Sequence, residues 1–168
     1  MGYEFNADEI FEIAEQIERN GAMFYRQMAG NFSDIPVRQL FLDLATMEDE
    51  HEKVFISMRA NLSDKEREPT VFDPEGESAL YLKALADLRV FDKKAIEDFV
   101  LPEELTEKEK IMKVFHEAIN REKDSIVFYL GMKELLPVHL GKNKIDDIIK
   151  QEMEHIRLLS NRLMSLPK

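Results

Sequence analysis

Apolar residues recur at steps of three and four along most of the chain, the spacing of one buried face of an α-helix, and they do so in four long runs. The first reads Ile10, Ala14, Ile17, Gly21, Tyr25, Met28, with Glu18 on its edge. Asn6 followed by Glu9 is a capping box that starts it, Phe5 and Ile10 can staple the entry, and Gly30-Asn31 stops it. Ser33-Asp34-Ile35-Pro36 opens a second run, Leu40, Leu44, Met47, His51, Phe55, Met58, Leu62, with Glu48 inside the same face. A third starts at the capping box Thr106-x-x-Glu109, continues through Ile111, Phe115, Ala118, Glu122, Ser125, Tyr129, Met132 and Leu136, and ends before Pro137. A loop through His139 and Gly141 leads to the fourth, in which Ile145, Ile148, Glu152, His155, Leu159 and Leu163 share a face. No alternating, strand-like pattern competes. The pattern predicts an all-α four-helix bundle built of two helix pairs, each pair antiparallel because its link is short.

Between the pairs, residues 63–105 break the periodicity with Pro69, Pro74, Gly76 and Pro102. This stretch is too long for a turn and predicts the crossover required when the two middle helices run parallel. Within it Ala79 to Phe91 is amphipathic through Leu80, Ala84, Leu88 and Phe91, which predicts a short extra helix packed over the bundle or against a partner subunit.

The two pairs are copies of one another. Shifting the chain by 104 positions places Glu18 on Glu122, Phe24 on Phe128, Tyr25 on Tyr129, and Glu48-x-x-His51 on Glu152-x-x-His155. Residues three apart share a helix face, so each Glu-x-x-His aims a carboxylate and an imidazole at one point. A single such pair is weak evidence, because exposed Glu and His occur at this spacing by chance. Six donors recurring at one offset, in helices whose apolar stripes contain or border them, are a different matter. Buried without partners, these groups would be costly. Four carboxylates and two imidazoles on four helices form the donor set of a dinuclear metal site: Glu18, Glu48, His51, Glu122, Glu152, His155. Two divalent ions would neutralise the four carboxylates, which predicts that metal stabilises the fold. Oxygen and imidazole donors suit iron or manganese, and both stay open.

Composition narrows the setting. The 168 residues suit one domain, 1–168, and 44% hydrophobic with 34% charged residues fits amphipathic helices. A net charge of −11 disfavours nucleic acid and anionic membrane as partners. The absence of cysteine excludes disulfides and thiolate-bound iron centres. Met1-Gly2-Tyr3-Glu4-Phe5 does not resemble a secretion signal and no apolar run could span a bilayer, so a cytoplasmic protein is expected. His116 and His139 lack the preceding Glu and read as surface residues. Glu50 and Glu154 read as a solvated face, with a supporting role behind the ligands as the alternative. The methionines read as core filler.

With the segment Asn20-Gly21-Ala22-x-Phe24-Tyr25, the six donors resemble the rubrerythrin-type branch of the ferritin-like superfamily, and the resemblance extends through Tyr81 to Ala86. It implies a ferritin-like bundle with a non-haem diiron centre. Glu18, Glu48 and His51 would serve one iron, Glu122, Glu152 and His155 the other, and Glu48 and Glu152 would bridge. It implies that Tyr25 and Tyr129 hydrogen-bond ligand carboxylates, with simple core packing as the alternative. Two departures stand out. The family has a further glutamate one turn after the third-helix ligand, where this chain has Ser125, whose repeat mate is Gly21, and a rubredoxin domain is not expected without cysteine. The resemblance implies an oxidoreductase that reduces hydrogen peroxide or dioxygen in oxidative-stress defence, with electrons from a separate donor. A ferroxidase or iron-handling protein and a non-catalytic metal-stabilised interaction module are the alternatives. The crossover helix suggests a homodimer.

Overall fold

A computed structural model describes residues 6–68, 77–87 and 93–166. Phe5, Pro69, Pro74, Gly76, Leu88 and Phe91 lie outside the described residues. Four long helices form: α1 (Ala7–Ala29), α2 (Ile35–Ala60), α5 (Glu107–Leu135) and α6 (Lys142–Met164). Two short ones, α3 (Glu77–Asp87) and α4 (Lys93–Glu97), lie between the pairs. No strand occurs among the described residues, and none of their helices is long and apolar enough to cross a membrane.

Local chemistry sets the ends of the long helices. Asn6 and Glu9 form the expected capping box on α1, as Thr106 and Glu109 do on α5, so backbone N–H groups that have no partner within the helix are satisfied. Asp34 caps α2 by accepting from the Val37 N–H at 3.1 Å, with Pro36 in the first turn. A 3-10 turn at Val138–Leu140 and Gly141, at φ 93°, redirect the chain into α6. That left-handed conformation costs glycine nothing and strains any residue with a side chain.

α1 packs along α2 and α5 along α6; α1 also meets α5, and α2 meets α6. Side-chain pairs give the directions. Tyr25 bonds Glu122 while Tyr129 bonds Glu18, so α1 and α5 run antiparallel. Glu48 approaches His155 while His51 approaches Gln151, so α2 and α6 are antiparallel too. With α1 antiparallel to α2, it follows that α2 and α5 are parallel. The chain between them must therefore travel the length of the bundle.

The core lies in two apolar clusters. One gathers Ile10, Phe11, Ala14, Phe55, Phe128, Met132, Ile145 and Ile148; the other gathers Phe24, Met28, Phe41, Leu44, Phe115, Ala118 and Leu159. Along each long helix the ligand-type residues fall between the two, making a polar layer across the middle of the bundle.

Some expectations about faces are corrected. In α3 the buried residue is Leu82, with Leu85 partly buried beside it, whereas Leu80 is 59% exposed and Ala84 is exposed. Gly131 on α5 lets this helix approach, since a Cβ there would sit 2.8 Å from Tyr81 and 3.1 Å from Leu82. Met47, expected in the buried stripe of α2, is exposed, and Val37, Phe41 and Ala45 are buried instead. Met112, Met153 and Met164 are exposed as well, so the methionines are not uniformly core filler. The short helix α4, with Ile96 buried, had no periodicity to announce it.

Candidate metal centre

All six repeated donors are drawn into the polar layer. Glu18, Glu48, His51, Glu122, Glu152 and His155 are each at most 3% exposed. They form two overlapping groups, Glu18-Glu48-His51-Glu152 and Glu48-Glu122-Glu152-His155, and within each group one ligand atom per residue lies within 4.8 Å of the others. That is close to the span of one coordination sphere, in which donors at about 2.1 Å from an ion lie up to about 4 Å apart. Glu48 and Glu152, from the two Glu-x-x-His pairs, belong to both groups.

Both imidazoles turn Nδ1 inward. His51 Nδ1 lies 2.8 Å from Glu152 Oε1 and 3.4 Å from oxygens of Glu18 and Glu48. His155 Nδ1 lies 3.2 Å from Glu48 Oε1 and 3.5 Å from oxygens of Glu122 and Glu152. The rings stack with centroids 5.5 Å apart. These atoms are close but poorly aligned with one another: His51 Nδ1, His155 Nδ1 and both oxygens of Glu152 have no hydrogen-bond partner. Buried polar atoms converging without hydrogen bonds are costly, and a cation at the point of convergence would satisfy all of them. The donors present therefore fit a pair of divalent transition-metal ions.

Electrostatics support the fit. Burial, then the charges of Glu48 and Glu152, hold Glu18 well above the usual carboxyl range, and burial with the same two neighbours does so for Glu122. Burial would raise Glu152 too, but its contacts with Glu122, His155 and His51 outweigh it and leave Glu152 below that range. Glu48 is likewise lowered, since Glu18 and both histidines outweigh burial and the charge of Glu152. Burial pushes both imidazoles down, yet the carboxylates facing them reverse this; His51 is raised strongly and His155 is pushed up to about 12. Without metal, protons on Glu18, Glu122, His51 and His155 leave two carboxylates facing two imidazoliums. Two divalent ions against four carboxylates reach the same neutrality, so metal and protons compete for the layer.

Two tyrosines cross between the repeats. Tyr25 of α1 donates to Glu122 of α5, and Tyr129 of α5 donates to Glu18 of α1. Each sits seven positions, about 10 Å of helix rise, after the Glu of its own helix, so its hydroxyl meets the opposite helix instead. Burial and then the charge of the bonded carboxylate push both phenols well above their ordinary value, so they remain donors.

Ser125 lies one turn from Glu122, its Oγ bonded to the Arg121 carbonyl at 3.1 Å. With Gly21 across from it, Ser125 borders a cavity of about 20 Å³ that touches Glu18, Glu48 and Glu122 and has Arg121 in its wall. A Cβ on Gly21 would lie 3.4 Å from Glu48 Cγ, so glycine keeps this gap open. Two neighbours of the site carry no signal in the sequence. Arg121, whose guanidinium stacks 4.6 Å from the Phe24 ring, looks like any charge on an amphipathic helix. Gln151 Oε1 meets His51 Nε2 at 3.1 Å, although its repeat mate is the apolar Met47.

The remaining candidates lie outside the layer. His116 is exposed and bonds the Met112 carbonyl, and His139 is exposed and paired with Glu66. Glu50 pairs with Lys53 and Glu154 with Arg157 near the surface, which places both on the solvated face.

The family model described as Rubrerythrin matches residues 9–124, a segment that includes most of α1, all of α2 and the first part of α5. No curated protein matches the chain in sequence. In three dimensions it is similar to a crystal structure from Thermotoga maritima, provisionally described as a ferritin-like diiron-carboxylate protein. The TM-score is 0.69 at 22% identity, covering 98% of this chain and 99% of that one. The fold is thus the ferritin-like bundle of two helix pairs.

Proposed function

The chain belongs to the rubrerythrin family, and on that premise we propose that it is a non-haem diiron oxidoreductase that reduces hydrogen peroxide or dioxygen. The observation that carries this reading is the buried layer of four carboxylates and two inward imidazoles, in two overlapping groups. Glu18, Glu48 and His51 would hold one iron and Glu122, Glu152 and His155 the other, with Glu48 and Glu152 shared. When bound, the iron pair supplies two electrons to an O–O bond. Reducing one hydrogen peroxide to two waters consumes two electrons and two protons, and a separate donor replenishes the electrons.

The protein's own groups have distinct parts in this scheme. Tyr25 and Tyr129 keep their phenolic protons and fix the orientation of Glu122 and Glu18. Phe41, Phe55 and Phe115, all fully buried, keep bulk water from the layer. The cavity beside Gly21 and Ser125 has space for about one small molecule, since one water needs roughly 10–15 Å³. That suits a substrate of two heavy atoms touching Glu48 and Glu122. Pairing with a second copy through the exposed Leu80, Tyr81, Val127 and Leu130 of α3 and α5 belongs to the same proposal, and sedimentation tests it.

Metal analysis followed by rapid mixing of the diferrous protein with peroxide tests the function. Two irons per chain and oxidation faster by peroxide than by oxygen are expected. Iron bound in that number but inert to both oxidants would overturn the enzymatic reading. Iron turnover well beyond two per chain would make iron the substrate rather than the cofactor.

A further inference from the structure

The two halves of the layer differ at the outer nitrogens of their imidazoles. His51 sets Nε2 3.1 Å from Gln151 Oε1 on α6. The amide nitrogen of Gln151 is in turn 3.4 Å from the Asp147 carbonyl one turn back, which keeps Oε1 facing the ring. An oxygen partner places the hydrogen on Nε2 and leaves Nδ1, in the neutral ring, with a lone pair aimed at the carboxylates. His155 presents Nδ1 inward in the same way, but its buried Nε2 has no hydrogen-bond partner. The repeat mate of Gln151 is Met47, whose thioether is a weak acceptor. A groove of about 450 Å³ between α2 and α6 also reaches His51 and Gln151, with Glu50 and Asp147 balanced by Lys53 and Lys144 in its wall.

The geometry points to Gln151 as a positioning residue that makes the two metal positions unequal. A first divalent ion settles among Glu18, Glu48, His51 and Glu152, and a second then joins Glu122 and His155. The physical reason is preorganisation. A ring already fixed in tautomer and angle has less freedom to lose on binding, and partners of this kind change metal affinity by about 10- to 100-fold. The inference rests on reading the six donors as a dinuclear metal site.

The test uses full-length protein stripped of metal, supplied with one equivalent of Co(II) per chain and crystallised, with anomalous scattering to locate the ion. Cobalt is expected on the His51 side in the unmodified protein. It should be spread over both sides in Gln151→Met and move to the His155 side in the Met47→Gln, Gln151→Met double variant. Calorimetry of Gln151→Met should show the tighter binding step weakened about 10- to 100-fold, with the melting temperature of the metal-free protein unchanged. Both positions are exposed or nearly so, which keeps the variants foldable. Equal occupancy in the unmodified protein, or an occupancy that Gln151→Met does not alter, overturns this inference and leaves the dinuclear site standing. No bound cobalt at any level overturns both.

Discussion

The α1–α2 pair and the α5–α6 pair deliver the same three donors and the same crossing tyrosine, yet they differ at their ends and behind the donors. The capping box of α1 begins twelve positions before Glu18, and that of α5 sixteen before Glu122, so α5 enters one turn earlier. The first pair is linked by a short turn into a helix capped by Asp34; the second needs a 3-10 turn, a left-handed Gly141 and a helix with no side-chain cap. Behind the donors, Gln151 stands opposite Met47 in the repeat, and Ser125 opposite Gly21. The constraint lies in the middle of the bundle. Two apolar clusters on either side of the polar layer fix the rotation of each helix there, while the ends remain free to vary.

Removing a shared donor should have the largest effect. Glu48→Ala deprives both groups, so metal analysis should find neither ion retained, whereas Glu18→Ala should keep one. Metal at 100 times its Kd should stabilise the unmodified protein by about 2.7 kcal/mol, and that gain should vanish in Glu48→Ala. Retention of both ions in Glu48→Ala would mean that the groups do not share this residue.

Acidification strikes both halves together. Each proton that metal must expel makes affinity fall about tenfold per unit of pH decrease, so calorimetry at pH 6 and pH 8 should show much tighter binding at the higher value. The metal-free protein should respond in the opposite direction. His155 titrates near 6.5 when unfolded and is pushed up to about 12 when folded. Its stabilising contribution is complete below about 6.5 and is lost as pH rises through 12; Glu18 and Glu122, also raised, act with the same sign. Thermal melts of chelator-treated protein should thus fall as pH rises from 6.5. A melting temperature rising over that range would contradict the proton-filled layer.

The tyrosines test the symmetry directly. Tyr25→Phe and Tyr129→Phe each leave a buried carboxyl group without its donor, at about 1–3 kcal/mol. Denaturant unfolding should give similar losses for the two. A clear inequality would show that the halves differ within the layer as well as outside it.

The smallest effect should fall on the links. Gly141→Ala puts a side chain on a residue at φ 93° with its Cβ 2.8 Å from Met58, and should cost about 1 kcal/mol or more. Gly30→Ala, at a helical φ of −68°, should cost nothing measurable in the same assay. Equal costs would remove the distinction between the two turns.

Much of this was legible without coordinates. The 104-residue repeat, the Glu-x-x-His spacing and the capping boxes at Asn6 and Thr106 depend on residues within a turn of each other, where helix geometry dictates the neighbour. The face of α3 was not legible, because Leu80 with Ala84 and Leu82 with Leu85 are both helical pairs and only docking on α5 selects the second. Met47 fitted the stripe of α2 by spacing but lies at its edge, and a small rotation of the helix decides its exposure.

The four helices, their pairing and the six repeated Glu and His positions follow from the chain alone, since local hydrogen bonding and periodicity act along one segment at a time. The tertiary structure decided which tyrosine holds which glutamate, which imidazole meets Gln151, and that a small cavity opens between Gly21 and Ser125. Those contacts join residues about 100 positions apart, on antiparallel helices whose relative register no local rule sets. It is packing of the two apolar clusters that fixes the register, and with it the surroundings of every donor.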